Sequence, residues 1–163
     1  MTAEALYVAE RKRNPFLGSP RGGRILSALM LPHFMLRPPA GFGVLTMTGR
    51  RTGRRRRKCV RAIRRGDKVY VVSIRPTAWL KNVRANPRVS LRLPGGTFAG
   101  VARDPRDAQE LEEGRAAYCG TVKPFDYGEC LMWRRGRPTR AKIEELHRDW
   151  FAQGTPLVID LPE

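Results

Sequence analysis

The hydrophobic and polar positions divide the chain into an irregular N-terminal stretch and a longer one with strand-like periods. Leu6 and Ala9 fall on one side of residues 2–13, which end in Arg11, Lys12 and Arg13 and predict a short helix. Pro15, Gly18, Pro20, Gly22 and Gly23 predict a loop over 14–23. Residues 25–35 are apolar, with Pro32 expected to bend or end the segment, and Pro38, Pro39 and Gly41 interrupt the chain again. Residues 1–40 thus read as an N-terminal helical and linker appendage, and residues 41–163 as the main domain.

From Gly43 the pattern becomes that of strands. Residues 44–48 are rich in branched side chains and lead into the turn Gly49-Arg50-Arg51-Thr52-Gly53. A second strand is predicted over 58–63, closed by Arg65-Gly66-Asp67. A third, over 69–74, is apolar on both faces and is expected to be central. Residues 88–93 alternate, with Val89, Leu91 and Leu93 on one side and Arg88, Ser90 and Arg92 on the other. Pro94-Gly95-Gly96 turns the chain into a strand over 97–103, and residues 156–161 form a last apolar strand. Helices are predicted over 78–85, stopped by Asn86-Pro87, and over 104–118, with Asp104 as cap and Pro105 in its first position. A third helix, over 139–151, has Thr139 as cap and Ile143, Leu146 and Trp150 on one face. Five to six short antiparallel strands with flanking helices make a mainly β fold with added α, a small barrel or sandwich.

Composition limits what such a fold can be. The 163 residues suit one domain, and 41% hydrophobic residues suffice for a core. Residues 25–35 are too short to span a bilayer, and the polar, acidic opening residues predict no secretory leader. Cys59, Cys119 and Cys130 are odd in number and lack CxxC spacing, which argues against a disulfide scaffold or a zinc site and for a reducing cytoplasm. The net charge of +17 is unevenly spread. Residues 11–66 hold sixteen Lys and Arg and no acid, a field that attracts phosphates, polyanions or an anionic membrane. Glycine-rich nucleotide loops, HExxH and GxSxG are absent, and His33 and His147 are far apart in the sequence. An enzyme on this chain would therefore rely on a bound cofactor.

The turn at 49–53 and the basic run that follows it concentrate the candidate chemistry. Two glycines allow a tight backbone, arginine forks match phosphate and carboxylate oxygens, and Thr52 adds a hydroxyl. Gly43-Val-Leu-Thr-Met-Thr-Gly-Arg-Arg-Thr-Gly53, then Arg56, then Trp79-Leu-Lys-Asn-Val-Arg-Ala-Asn-Pro87 together resemble the deazaflavin-dependent nitroreductase and quinone reductase family. These are actinobacterial enzymes that use coenzyme F-420, and the resemblance covers about residues 41–105.

The resemblance implies a split β-barrel with the deazaflavin in a groove beside it. Thr48, Arg50, Arg51, Thr52, Gly53 and Arg56 would hold the cofactor's phosphate and acidic tail. Ser73 and Ile74 would lie against its ring system, with Ala78, Trp79 and Asn82 adding contacts. The implied reaction is hydride transfer to an electron-poor small molecule, such as a quinone, nitroaromatic or unsaturated ring, with a proton from water, Tyr118 or Tyr127. A flavin-mononucleotide (FMN) enzyme on the same barrel is one alternative. A basic nucleic-acid binder is another, but aromatic residues are not interleaved with the arginines and no specific nucleic-acid partner is expected. Exposed sheet edges favour a homodimer. Residues 25–35, between Arg24 and Arg37, suit contact with a membrane surface.

Overall fold

The computed structural model describes residues 20–74 and 77–163. The helix expected over 2–13 lies outside them. Seven strands, β1 (Phe42–Thr48), β2 (Arg55–Arg61), β3 (Ile63–Arg65), β4 (Lys68–Ser73), β5 (Arg88–Leu93), β6 (Gly96–Arg103) and β7 (Thr155–Asp160), form one antiparallel sheet. Their order is β2-β1-β5-β6-β7-β4-β3. The run expected as one strand over 58–63 starts at Arg55 and is split at Ala62, which accounts for the seventh strand. β2 and β3 are consecutive in the chain yet lie at opposite ends of the strand order. The sheet therefore curls until its edges meet, and the covalent chain at Ala62 links them. The Ala62 N–H donates to the Gly41 carbonyl at 2.9 Å.

Alternation sorts the strand residues between two layers. Leu45, Met47, Val69, Val71, Val89, Leu91, Leu157 and Ile159 point inward to the main core. Helix α2 (Ala78–Ala85) adds Trp79, Leu80 and Val83 to that core. On the outside, Tyr70, Val72 and Val158 meet α3 (Ala108–Cys119) and α5 (Arg140–Gln153) through Ala117, Tyr118 and Phe151. Phe42 and Val44 meet α1 (Pro20–Leu36) through Phe34, with Phe125 of α4 (Pro124–Trp133) against them. Both faces of β4 are covered, as its unbroken apolar run implies, although it is next to the end of the sheet rather than at its centre.

Several expectations are corrected. The chain over 20–23 is helical, and α1 continues through Pro32 to Leu36. Pro32 is exposed, so water can reach the carbonyl left without a donor, while Phe34 anchors the following turn in the core. α3 starts at Ala108, not at 104, because Asp107 is the cap and accepts from the Glu110 N–H at 2.8 Å. Asp104 instead pairs with Arg84 at 3.1 Å. Helix α4 was not expected. Pro124 opens it, and Asp126 accepts from the Lys123 N–H at 2.7 Å. α5 follows its pattern, with Thr139 as cap and Ile143, Leu146 and Trp150 buried. Among the described residues, α1 packs on β1 and β2.

An ionic network fixes α3 to the sheet. Arg103 of β6 clasps Glu110 with both Nη atoms, at 2.6 and 2.8 Å, and its Nε donates to Asp160 of β7 at 2.5 Å. Lys68 of β4 reaches Glu110 at 2.9 Å. The Arg103 clasp, with help from the Arg106 N–H and Lys68, holds the Glu110 carboxyl well below the usual range despite its shielding. That stabilisation is present above the ordinary glutamate range and is lost as pH falls toward the folded-state value. Glu110→Ala should cost about 2 kcal/mol, below the range for a fully buried pair because Arg103 and Lys68 reach solvent. Urea unfolding at pH 7 and pH 3 checks this, and the gap between variant and wild type should shrink in acid.

Candidate functional site

The turn between β1 and β2 is a closed backbone loop. Gly49 N–H donates to the Arg54 carbonyl and Gly53 N–H to the Gly49 carbonyl, both at 2.8 Å. Gly53 has φ of 64°, a conformation that other residues adopt at a cost. A Cβ on Gly49 would lie 3.2 Å from the Arg54 carbonyl oxygen and from Thr52 Oγ1. Thr52 Oγ1 accepts from the Arg54 N–H at 3.3 Å. Much of the loop's hydrogen-bonding capacity is thus used internally, so recognition of an anion falls mainly to side chains.

Those side chains are arginines. Residues 50–57 are all exposed. The guanidinium of Arg50 is engaged, because its Nη1 donates to Asn82 Oδ1 at 3.0 Å and its backbone N–H donates to the same oxygen at 3.2 Å. This pair joins the two sequence motifs, 32 residues apart, and holds the turn against α2. Among the described residues the guanidinium groups of Arg51, Arg54, Arg55, Arg56 and Arg57 have no hydrogen-bonded or ion-paired partner. Alternation along β2 puts Arg56 on one face of the strand and Arg55 and Arg57 on the other. Thr48, half-buried, pairs in register with Arg55.

The remaining expected contacts gather near α2 by different routes. Ser73 ends β4 fully buried, with Oγ 3.0 Å from Thr77 Oγ1. Thr77 caps α2 by accepting from the Leu80 N–H at 3.3 Å. Trp79 and Asn82 are buried, Trp79 in the main core and Asn82 on Arg50, while Ala78 is exposed. Ile74 is half-buried and packs with Trp133 against Leu146 and Trp150. Ile74 therefore offers a side-chain surface here, and the Ser73 and Trp79 side chains face inward.

The two tyrosines lie apart from the turn's chemistry. The Tyr118 backbone carbonyl accepts from Arg61 Nη1 at 2.7 Å. Arg61 stands six residues along β2 from Arg55, or about 20 Å at about 3.3 Å per residue. Tyr118 is 1% exposed, and burial raises its pKa. Tyr127 is 39% exposed.

A second polar centre escaped the sequence reading. Arg61 is buried, with its guanidinium 4.5 Å from the Tyr118 ring centroid. Its Nε donates to Asp126 Oδ1 at 3.2 Å and its Nη2 to the Thr121 carbonyl at 2.5 Å. His147 is 1% exposed, with Nε2 3.6 Å from Asp126 Oδ1. Burial lowers the His147 pKa, against the pull of Asp126. Burial pushes the Asp126 carboxyl up, but His147, Arg61 and the Lys123 N–H outweigh it and keep it below its usual value. The Pro124-Phe-Asp126 sequence signals a helix start. Nothing local in the sequence couples it to Arg61, 65 residues away.

The comparisons agree with this geometry. A structure described as an F420-H2 dependent reductase (FDR-A) shares 18% identity with TM-score 0.51, covering 75% of this chain and 94% of its own. Another, described as a domain-swapped dimer, shares 20% identity with TM-score 0.52, covering 86% of this chain and 92% of its own. At these identities the likeness speaks for the fold, a split β-barrel. Among curated proteins no sequence matches. Residues 35–123, more than half of the chain and including both the arginine turn and the helix bonded to it, match the F420H(2)-dependent quinone reductase family. The chain belongs to that family, and it is an oxidoreductase that works with the reduced deazaflavin F-420.

Proposed function

We propose that the turn at 49–53 and the start of β2 bind the phosphate and carboxylate end of F-420, and that the other end of the cofactor lies toward Ile74. The observation that carries this reading is the set of guanidinium groups without a partner among the described residues, beside a turn held by Asn82. A multiply anionic ligand needs free cations on a fixed backbone, so the residues present fit the group. Arg51 and Arg56 make charge-assisted contacts, and Thr52 can donate its hydroxyl proton. Arg50 positions the turn through Asn82. Thr48, Gly53, Ser73, Ala78 and Trp79 shape the groove, Ser73 and Trp79 mainly through their backbones. When bound, the reduced deazaflavin supplies the hydride. The chain's part is to hold the donor near the acceptor and limit the positions that the acceptor can take. Acceptors in this reading are planar and electron-poor, such as a quinone or a nitroaromatic. The accompanying proton comes from water or from Tyr127, since Tyr118 is sealed in the core.

The reading extends to partners. Ile25, Leu29 and Leu36 are exposed on α1, and Arg21, Arg24 and Arg37 are exposed beside them. No helix among the described residues is long and apolar enough to cross a membrane. A basic-flanked apolar stripe of this kind suits the surface of an anionic bilayer. A homodimer, formed in a reducing cytoplasm, is supported by the exposed outer face of β6, where Thr97, Ala99 and Val101 are open to solvent.

Titration with F-420 and with FMN tests the cofactor. The deazaflavin should bind more tightly, and equal affinity or a preference for FMN would overturn the assignment. Arg51→Ala and Arg56→Ala should each weaken F-420 binding about tenfold, the size of a charge-assisted contact, with the thermal midpoint of the free protein unchanged.

Asn82→Ala should act differently. It removes the acceptor shared by the Arg50 N–H and guanidinium, so it should lower stability by about 1–2 kcal/mol as well as affinity. Denaturant unfolding beside the same titration separates the two effects. Flotation with vesicles of anionic lipid should carry the protein, and Leu29→Ser with Leu36→Ser should abolish that binding while leaving F-420 affinity intact.

A further inference from the structure

Helix α4 connects two parts of the molecule, and the polar cluster sits beneath its first turn. Near its start, Phe125 packs edge-on against Phe34 of α1 at 5.4 Å and Phe42 of β1 at 4.8 Å. At its end, Trp133 meets Trp150 of α5 edge-on at 5.8 Å, in the group that includes Ile74. Between these contacts Asp126 is held by Arg61 and His147. One turn beyond Asp126 stands Glu129.

Glu129 is half-buried as a residue, but its Oε2 is shut off from solvent and has no hydrogen-bond partner among the described residues. The titratable groups of the cluster are Arg61 on β2, Tyr118 on α3, Asp126 on α4 and His147 on α5. Among the described residues none of them donates a hydrogen bond to Glu129 Oε2. All three guanidinium nitrogens of Arg61 are engaged, by Asp126, Tyr118 and Thr121. His147 and Arg61 hold the Asp126 carboxyl below its usual value, which favours a negative charge beside Glu129, and burial lowers the His147 pKa. With Oε2 enclosed and without a donor, the carboxylate form of Glu129 is disfavoured relative to the protonated form.

We propose that Glu129 is a protonation latch for α4: protonated, it leaves the helix seated; ionised, it draws the helix outward and loosens the packing of Trp133 on Trp150 and Ile74. Burial, reinforced by Asp126 and opposed by Arg61, pushes the Glu129 carboxyl up to about 8, so the latch would turn in a mildly alkaline range. Because the folded-state pKa is raised, the stability held by the proton is complete below the ordinary glutamate range. It is lost as pH rises through the folded value. The latch stands on the cluster alone, whereas its effect on the cofactor groove rests on the function proposed above.

The test is intrinsic tryptophan fluorescence of the full chain between pH 6.5 and 9.5, with thermal midpoints at each pH. The wild type should show a transition centred near pH 8 and a falling midpoint. Glu129→Gln and Glu129→Met, which cannot ionise there, should show neither. A flat wild-type profile, or a transition that persists in both variants, would overturn the latch. In a second arm, F-420 affinity is measured at pH 7 and pH 9. It should weaken about tenfold in the wild type and stay constant in Glu129→Gln. Equal weakening in both proteins would overturn the coupling to the groove. Absence of F-420 binding at either pH would instead strike the cofactor reading and leave the fluorescence result to stand.

Discussion

The extended run from Arg55 to Arg65 serves both edges of one sheet, and the rest of the architecture depends on how that is achieved. β2 pairs with β1 along its whole length, and after the single residue Ala62 the chain pairs with β4 as β3. Two strands that differ by one residue in sequence cannot be far apart in space. The sheet must therefore close, and the inward face of every strand then shares one core. Closure also decides where the helices go. Outer faces that remain apolar, on β1, β4 and β7, need cover and receive α1, α3 and α5.

The same strand uses arginine in two opposite ways. At its start, Arg55, Arg56 and Arg57 are exposed beside the turn and have no partner among the described residues. At its end, Arg61 is buried and fully engaged, binding the last turn of α3, the following loop and the first turn of α4. A guanidinium can be buried only if its donors and charge are met, and Asp126 with two carbonyls meets them. Left at the surface in numbers, the same group repels its neighbours, a cost that an anionic ligand relieves. The strand is thus structural at one end and, on the function proposed above, a binding element at the other.

This contrast explains what could be read from the sequence. Residues 78–85 and 88–93 were legible to the residue, because Asn86-Pro87 forces a boundary and the alternation in β5 is clean. The arginine turn and the Trp-Asn-Pro helix were legible as a pair, and Arg50 on Asn82 is the contact that unites them. The passage of α1 through Pro32 and the break at Ala62 were not legible, since tertiary partners decide both, and the start of α3 turns on a choice between two neighbouring candidate caps, Asp104 and Asp107. The cluster of Arg61, Asp126 and His147 was hidden for a plainer reason. Its members come from three elements, and each alone resembles a surface residue.

The limits of the family match carry a further consequence. Residues 35–123 contain the turn, α2 and most of the barrel, but they stop just before α4. The surface around Ile74 is nevertheless completed by Trp133, Leu146 and Trp150, which lie beyond that point. The cations that suit the cofactor's anionic end are therefore in the matched segment, and much of the packing behind Ile74 is not. Requirements on the two are unlike. An anionic handle fixes charge and backbone geometry, which tolerate little change. A wall of apolar and aromatic side chains can be rebuilt with other residues of suitable volume while the barrel stays intact. On the function proposed above, the wall beside the acceptor is thus the face that α4 and α5 present to the end of β4, outside the matched segment.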